Sequence, residues 1–150
     1  MRFSSVIFAT ALLLSATAFA DDILQLDLAN KPFNTQKDAV LNAVNTDVKY
    51  SEITNQKRTE VSQALSRISQ VLDGEKQFSS IGTSNRQQLL ADQQLINTAL
   101  DEAKRDSRMV CAKEPVIGSN LPKRVCKTAA ARNRENELVR SRNGTGINKL

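Results

Sequence analysis

The chain has 150 residues, with 21 lysines and arginines against 16 aspartates and glutamates, and no histidine. Without histidine it lacks the usual general base of Ser-His-Asp and Cys-His enzymes, and its two cysteines are too few for the four ligands of a structural zinc site. The five glycines follow no phosphate-binding or dinucleotide-binding spacing. We therefore expect a protein that is not an enzyme, with no catalytic residues, no metal and no cofactor.

The N-terminus has the three parts of a secretory signal peptide. Arg2 precedes an apolar run from Val6 to Leu14, and residues 18–20 read Ala-Phe-Ala, a small-residue cleavage pattern. The apolar run is too short to span roughly 30 Å of hydrocarbon at about 1.5 Å per residue. The sequence therefore predicts that residues 1–20 are a cleaved signal peptide and that the mature protein is periplasmic or secreted.

Residues 21–34 are predicted to form an extended N-terminal segment. Leu24, Leu26 and Leu28 alternate with polar residues at period two, and Pro32 closes the pattern. Such a pattern is typical of a strand, but an isolated strand has no obvious partner in this region.

The region 35–128 is predicted to be a helical domain. Apolar residues recur at spacings of three and four in three stretches, over about residues 36–49, 51–73 and 84–108, as expected for helices with one buried face. The second and third helices should lie antiparallel, since a loop of about ten residues joins them. The residues expected to be buried are Val40, Leu41, Val44 and Val48, then Val61, Leu65, Ile68 and Leu72, then Leu89, Ile96, Leu100 and Ala103.

Local signals predict where these helices begin and end. Asn34 or Thr35 is expected to cap the first helix, Gly74 to end the second, and Ser84 with Gln87 to form a capping box for the third. Aromatic residues make up 4% of the chain, which favours side-by-side helices over a β-sandwich. The expected fold class is all-α: an antiparallel helical hairpin or small bundle with one disulfide-closed loop and a short basic C-terminal helix.

The loop contains the two cysteines of the chain, Cys111 and Cys126. In an exported protein two such cysteines are expected to form a disulfide, which removes roughly 3 kcal/mol of unfolded-state freedom for a loop of this length. A catalytic redox pair is disfavoured, since such cysteines generally lie two residues apart. Pro115, Gly118 and Pro122 predict turns within the loop.

Residues 129–150 are predicted to form a basic C-terminal helix, capped by Thr128, and a frayed tail. Residues 21–126 carry 14 basic and 14 acidic side chains, whereas residues 127–150 carry six basic against two acidic ones. This end is either a soluble basic surface without a partner or a contact for polyanions such as lipid phosphates or nucleic acid. Nucleic acid is disfavoured, because no aromatic residue is present here to stack on bases. The candidate binding residues are Lys123, Arg124, Lys127, Arg132 and Arg134.

The segment DSRMVCAKEPVIGSNLPKRVCKT, residues 106–128, resembles a recurring segment in small exported proteins of Gram-negative bacteria. The shared features are a D-S-R helix end, a first cysteine, a G-S turn and a V-C-x-T ending. The resemblance covers roughly Tyr50 to Arg140 and implies export, a helical body and a disulfide loop, but no activity.

Together these patterns predict a non-enzymatic interaction or structural protein of the cell envelope, whose partner is an unknown envelope protein or an anionic envelope surface. The alternative is a polyanion-binding protein that uses the basic C-terminal region. The apolar helix stripes are compatible with burial within one chain or in an oligomer.

Overall fold

The computed structural model describes residues 24–72 and 78–144. The predicted signal peptide, residues 1–20, lies outside the described residues, as does Gly74. Within the described ranges, no helix combines the length and the apolar character needed to cross a membrane. The elements are α1 (Phe33–Thr46), a 3-10 turn (Val48–Tyr50), α2 (Asn55–Leu72), a second 3-10 turn (Phe78–Ser80), α3 (Thr83–Ser107), β1 (Met109–Val116), β2 (Ser119–Thr128) and α4 (Ala129–Gly144).

Helices α2 and α3 form the centre of the core. Two ion pairs join them, Lys57 with Glu102 and Arg67 with Asp92, and the order of these pairs shows that the helices run antiparallel. Asp92 is buried and accepts from Arg67 Nη2 at 2.5 Å, so its charge is compensated inside the bundle. The buried apolar side chains of the three core helices are Val40, Ala43, Val44, Val61, Ala64, Leu65, Ile68, Leu89, Ile96, Ala99, Leu100 and Ala103.

Most of the predicted stripe residues therefore lie in the core, but Val48 does not: its side chain is 80% exposed. Helix α1 ends at Thr46, and Val48 lies in the following 3-10 turn, where the Asp47 carboxylate accepts from the Lys49 amide at 2.9 Å. The turn changes the direction of the chain, so the helical spacing no longer applies at Val48.

The predicted helix starts differ from the observed ones. Helix α1 begins directly after Pro32 with no side-chain cap, and α3 begins after Gly82, again with no side-chain cap. The Ser84 capping box is therefore wrong. Helix α2 begins four residues later than predicted, because Thr54 Oγ1 accepts from the Lys57 amide at 3.2 Å and supplies the cap.

The N-terminal segment docks on α3 through side-chain amides. Asn97 accepts from the Leu26 amide at 2.7 Å and donates to the Leu26 carbonyl at 3.0 Å, while Gln93 accepts from the Leu28 amide at 3.0 Å. Gln36 bonds the backbone of Asp27 in the same two-sided way. The backbone of the alternating leucines thus bonds to side chains of α3 and not to a second strand. These bonds satisfy the backbone polar groups at the place where the Leu26 and Leu28 side chains enter the core.

The all-α prediction is wrong, because the segment between the cysteines forms a β-hairpin. Strands β1 and β2 pair antiparallel and are joined by Ile117 and Gly118, where Gly118 has a φ of +81° that favours glycine. Pro115 and Pro122 led us to predict a loop, since proline cannot donate to a ladder. Pro115 lies where the register shifts, between Glu114 and Val116, and Pro122 lies in the facing segment between Ser119 and Lys123, so the ladder accommodates both.

We expect Asn97→Ala to lower the free energy of unfolding by about 1 to 3 kcal/mol, because it leaves the buried Leu26 backbone without its hydrogen-bond partner. Urea denaturation measures the effect. The matched control is Gln94→Ala, which removes an exposed amide from the same helix and should change stability little. Equal effects of the two substitutions would contradict the docking role of Asn97.

Candidate binding surface on the disulfide hairpin

The predicted disulfide between Cys111 and Cys126 is present and joins the two strands of the hairpin. The cysteines face each other directly in the register, as do Lys113 and Arg124. Side chains that face each other across an antiparallel pair lie on the same side of the sheet. The disulfide, Lys113 and Arg124 therefore share one face, the outer face, and all four residues are exposed.

The opposite, inner face of the hairpin packs against α4. Its residues are half-buried, among them Val110, Ala112 and Val125. Arg132 of α4 lies over both strands, with Nη2 donating to the carbonyls of Val110 at 3.3 Å and Val125 at 3.5 Å. A long guanidinium side chain thus covers apolar surface and bonds the backbone at once.

Acidic side chains hold the cations of this inner face. Glu114 lies 3.4 Å from Arg132 Nη1 and 3.6 Å from Lys127 Nζ, and Lys127 also donates to Glu135 at 2.7 Å. The hydrogen bond to Glu135 is the main reason that the pKa of Lys127 is raised above its ordinary value. Lys127 and Arg132 therefore form ion pairs that join the hairpin to α4, and they are not unpaired surface charges.

Glu52 connects the hairpin and α4 to the helical body. It lies just before α2, and its carboxylate accepts from Thr128 Oγ1 at 2.5 Å and from Arg134 Nη1 at 3.0 Å. These two bonds, that of Thr128 first, hold the pKa of Glu52 below its ordinary value. The Glu52 amide donates to Ser107 Oγ at 2.9 Å, and Thr128 Oγ1 accepts from the Ala131 amide at 3.1 Å, so Thr128 also caps α4.

The structure divides the five predicted binding residues into two groups. Lys127, Arg132 and Arg134 form ion pairs within the chain, whereas Lys123 and Arg124 are exposed and have no ion-pair partner among the described residues. A third such cation on the hairpin, Lys113, was missed in the sequence. The spacing in the sequence is a signal for its position, because Lys113 follows the first cysteine by two residues and Arg124 precedes the second by two. In two paired strands this spacing places both cations on the same face as the disulfide. We call Lys113, Lys123 and Arg124 the basic collar.

Beyond the basic collar, the hairpin ends in apolar side chains. Ile117 is 103% exposed, Leu121 78% and Val116 41%, with the exposed Pro115 and Pro122 at their base. We call residues 115–122 the hairpin tip. Its apolar character was overlooked in the sequence, because a loop rich in turn residues was not expected to project its side chains outward from two paired strands.

The described surface also has a depression whose lining lies outside the hairpin. This depression of about 720 Å³ is lined by residues that include Leu28, Phe33, Leu72 and Phe78, and among the described residues of its lining Lys31 is the one ionisable side chain. Among residues 24–72 and 78–144, no three His, Cys, Asp or Glu side chains are grouped in a way that could hold a metal ion. The hairpin is therefore the surface with the most distinctive chemistry in the described part of the chain.

No protein-family model, curated protein or solved structure matches the chain.

We expect replacement of both cysteines by serine to loosen the hairpin while the helical body stays folded. An isolated two-stranded hairpin is only marginally stable in water. Removal of the disulfide from a loop of this length costs about 3 kcal/mol of stabilisation. Hydrogen exchange should rise in β1 and β2 and stay unchanged in α2 and α3. Unchanged protection of the strands would mean that α4 alone holds them.

We expect Glu52→Gln to lower the free energy of unfolding by about 1 kcal/mol at neutral pH, since it weakens charge-assisted bonds to Thr128 and Arg134. Because the pKa of Glu52 is lowered by folding, its contribution is complete above the ordinary value of 4.5 and is lost as pH falls through the lowered pKa. Urea titrations at decreasing pH should show the wild type converging on the variant.

The control for this pH series is Glu137→Gln, which removes an exposed carboxylate from α4. It should follow the wild type over the whole series. If Glu52→Gln also ran parallel to the wild type down to acid pH, the ionised Glu52 would not connect the hairpin to the body.

Proposed function

We propose that the protein is a non-enzymatic interaction protein of the cell envelope, periplasmic or secreted, and that it binds its partner through the hairpin tip and the basic collar. The observation that carries this proposal is the exposure of Val116, Ile117 and Leu121 at the end of a hairpin that is fixed at its base. Contiguous apolar side chains held in water are typical of a binding surface.

The restraints on the hairpin support this proposal. The disulfide, the Arg132 contacts and the Glu52 bonds all act on the base of the hairpin or on α4, and none of them involves the tip. A binding element that is held in one conformation before it meets its partner loses less entropy on binding. The helical body then serves as the scaffold that presents the hairpin.

The envelope location is supported by three features. The N-terminal pattern of residues 1–20 is that of a signal peptide, and disulfides such as that between Cys111 and Cys126 persist mainly in oxidising compartments. The resemblance of residues 106–128 to a segment of small exported bacterial proteins points the same way.

The alternative, a polyanion-binding function of the basic C-terminal region, has less geometric support. An anion that approached Lys127, Arg132 or Arg134 would compete with Glu135, Glu114 and Glu52 for these cations. In the basic collar, Lys113 and Arg124 lie on the outer face, away from these carboxylates, and Lys123 faces Glu114 across the ladder without forming an ion pair with it.

We expect the immobilised protein without its predicted signal peptide, residues 21–150, to retain envelope components. We expect Ile117→Ser combined with Leu121→Ser to abolish this retention, because both side chains belong to the exposed tip. The measurement is the amount of protein and lipid recovered from an envelope extract. As a control, Val48→Ser combined with Leu138→Ser removes two exposed apolar side chains that lie elsewhere. Retention that survives the tip substitutions, or turnover of an envelope substrate, would contradict the proposal.

A further inference from the structure

We propose that the partner of the hairpin is the surface of an anionic lipid bilayer, into whose interfacial region the tip inserts while the basic collar contacts the lipid phosphates. This inference depends on the proposed function, since it takes the hairpin as the binding element and specifies what it binds. Three observations carry it: the reach of the tip, the charge behind it and the interruption of its ladder.

The first observation is the reach of the tip. Ile117 lies six positions after Cys111, which at about 3.3 Å per strand residue places the tip roughly 20 Å beyond the disulfide. Apolar faces of interfacial elements enter a bilayer by about 5–10 Å. The tip can therefore insert while the disulfide remains in water.

The second observation is the charge immediately behind the apolar residues. Residues 109–128 contain one acidic side chain, Glu114, which is engaged by Lys127 and Arg132 of the inner face. The basic collar is thus left with a net positive charge next to the tip, complementary to lipid phosphates. A cation near an anionic leaflet strengthens binding by about fivefold, and long basic side chains place their charge at the headgroups while their stems lie along apolar surface.

The third observation distinguishes a bilayer from a protein strand. A partner strand would need a regular row of backbone N–H and C=O groups along one edge of the hairpin. Pro115 and Pro122 have no N–H, and the register is irregular between Glu114 and Val116. The Leu121 amide is already bonded to Ser119 Oγ at 3.1 Å. The tip therefore lacks the ladder that strand addition requires, whereas its apolar side chains remain available.

The test is binding of the protein without its predicted signal peptide, residues 21–150, to vesicles of equal parts phosphatidylglycerol and phosphatidylcholine, with phosphatidylcholine vesicles as reference. We expect binding to the anionic vesicles only. Ile117→Ser combined with Leu121→Ser should weaken it at least about tenfold, and replacement of Lys113, Lys123 and Arg124 by glutamine should weaken it on the order of a hundredfold. Neither the tip side chains nor the collar side chains contribute to the core, so circular dichroism should show the same melting temperature for both variants and the wild type.

Two control sets match these changes elsewhere on the surface. Val48→Ser combined with Leu138→Ser removes comparable exposed apolar surface, and glutamine at Lys31, Arg108 and Arg140 removes the same charge from exposed positions. Both sets should keep most of the vesicle binding. Equal losses in the control and hairpin sets would overturn the inference.

Other outcomes separate this inference from the proposed function. If the charge substitutions abolish binding and the tip substitutions do not, and heparin is bound equally well, the hairpin binds polyanions only and the bilayer proposal is wrong. If no vesicle is bound but retention from envelope extract still depends on Ile117 and Leu121, the bilayer proposal fails and the proposed function stands. If neither vesicle binding nor retention from envelope extract depends on the tip, both the bilayer proposal and the proposed function fail.

Discussion

The hydrogen bonds accepted by the Glu52 carboxylate are the interaction that connects the two parts of this molecule, the helical body and the hairpin with α4. Glu52 lies at the start of the helical hairpin formed by α2 and α3, and it binds the last residue of β2, Thr128, and a residue of α4, Arg134. Its own amide is held by Ser107 at the end of α3. One ionised side chain therefore joins both the disulfide hairpin and α4 to the body, and a carboxylate is suited to this because charged acceptors form the stronger hydrogen bonds.

The two parts of the protein are stabilised by different physical means. The body buries a continuous set of aliphatic side chains and compensates Asp92 with Arg67, as an ordinary helical core does. The hairpin has little core of its own. It is held by a covalent cross-link, by Arg132 across its inner face and by the carboxylates that pair with Lys127 and Arg132, all at its base. Its tip is consequently free of any structural task and can serve binding.

Sequence reasoning succeeded where the determining interactions are local. The helical stripes were recognised because a period of 3.6 residues is visible in any single stretch, and Val40, Leu65 and Ile96 are indeed buried. It failed where two signals competed. Thr54 capped α2 in preference to an earlier start, and Pro115 with Pro122 concealed two strands whose ladder bends to admit them. It also failed to separate paired from unpaired cations, since that distinction needs the partner.

By itself, the sequence determined the buried faces of the three core helices and the pairing of Cys111 with Cys126, because helical periodicity is a local property and two cysteines allow one intramolecular pairing. Only the tertiary structure decided that the residues between the cysteines form strands, and that Arg134 forms an ion pair with Glu52 while Lys113 and Arg124 have no ion-pair partner among the described residues. The reason is distance along the chain: Glu52 meets Thr128 across 76 positions and Arg134 across 82, and no local pattern encodes such contacts.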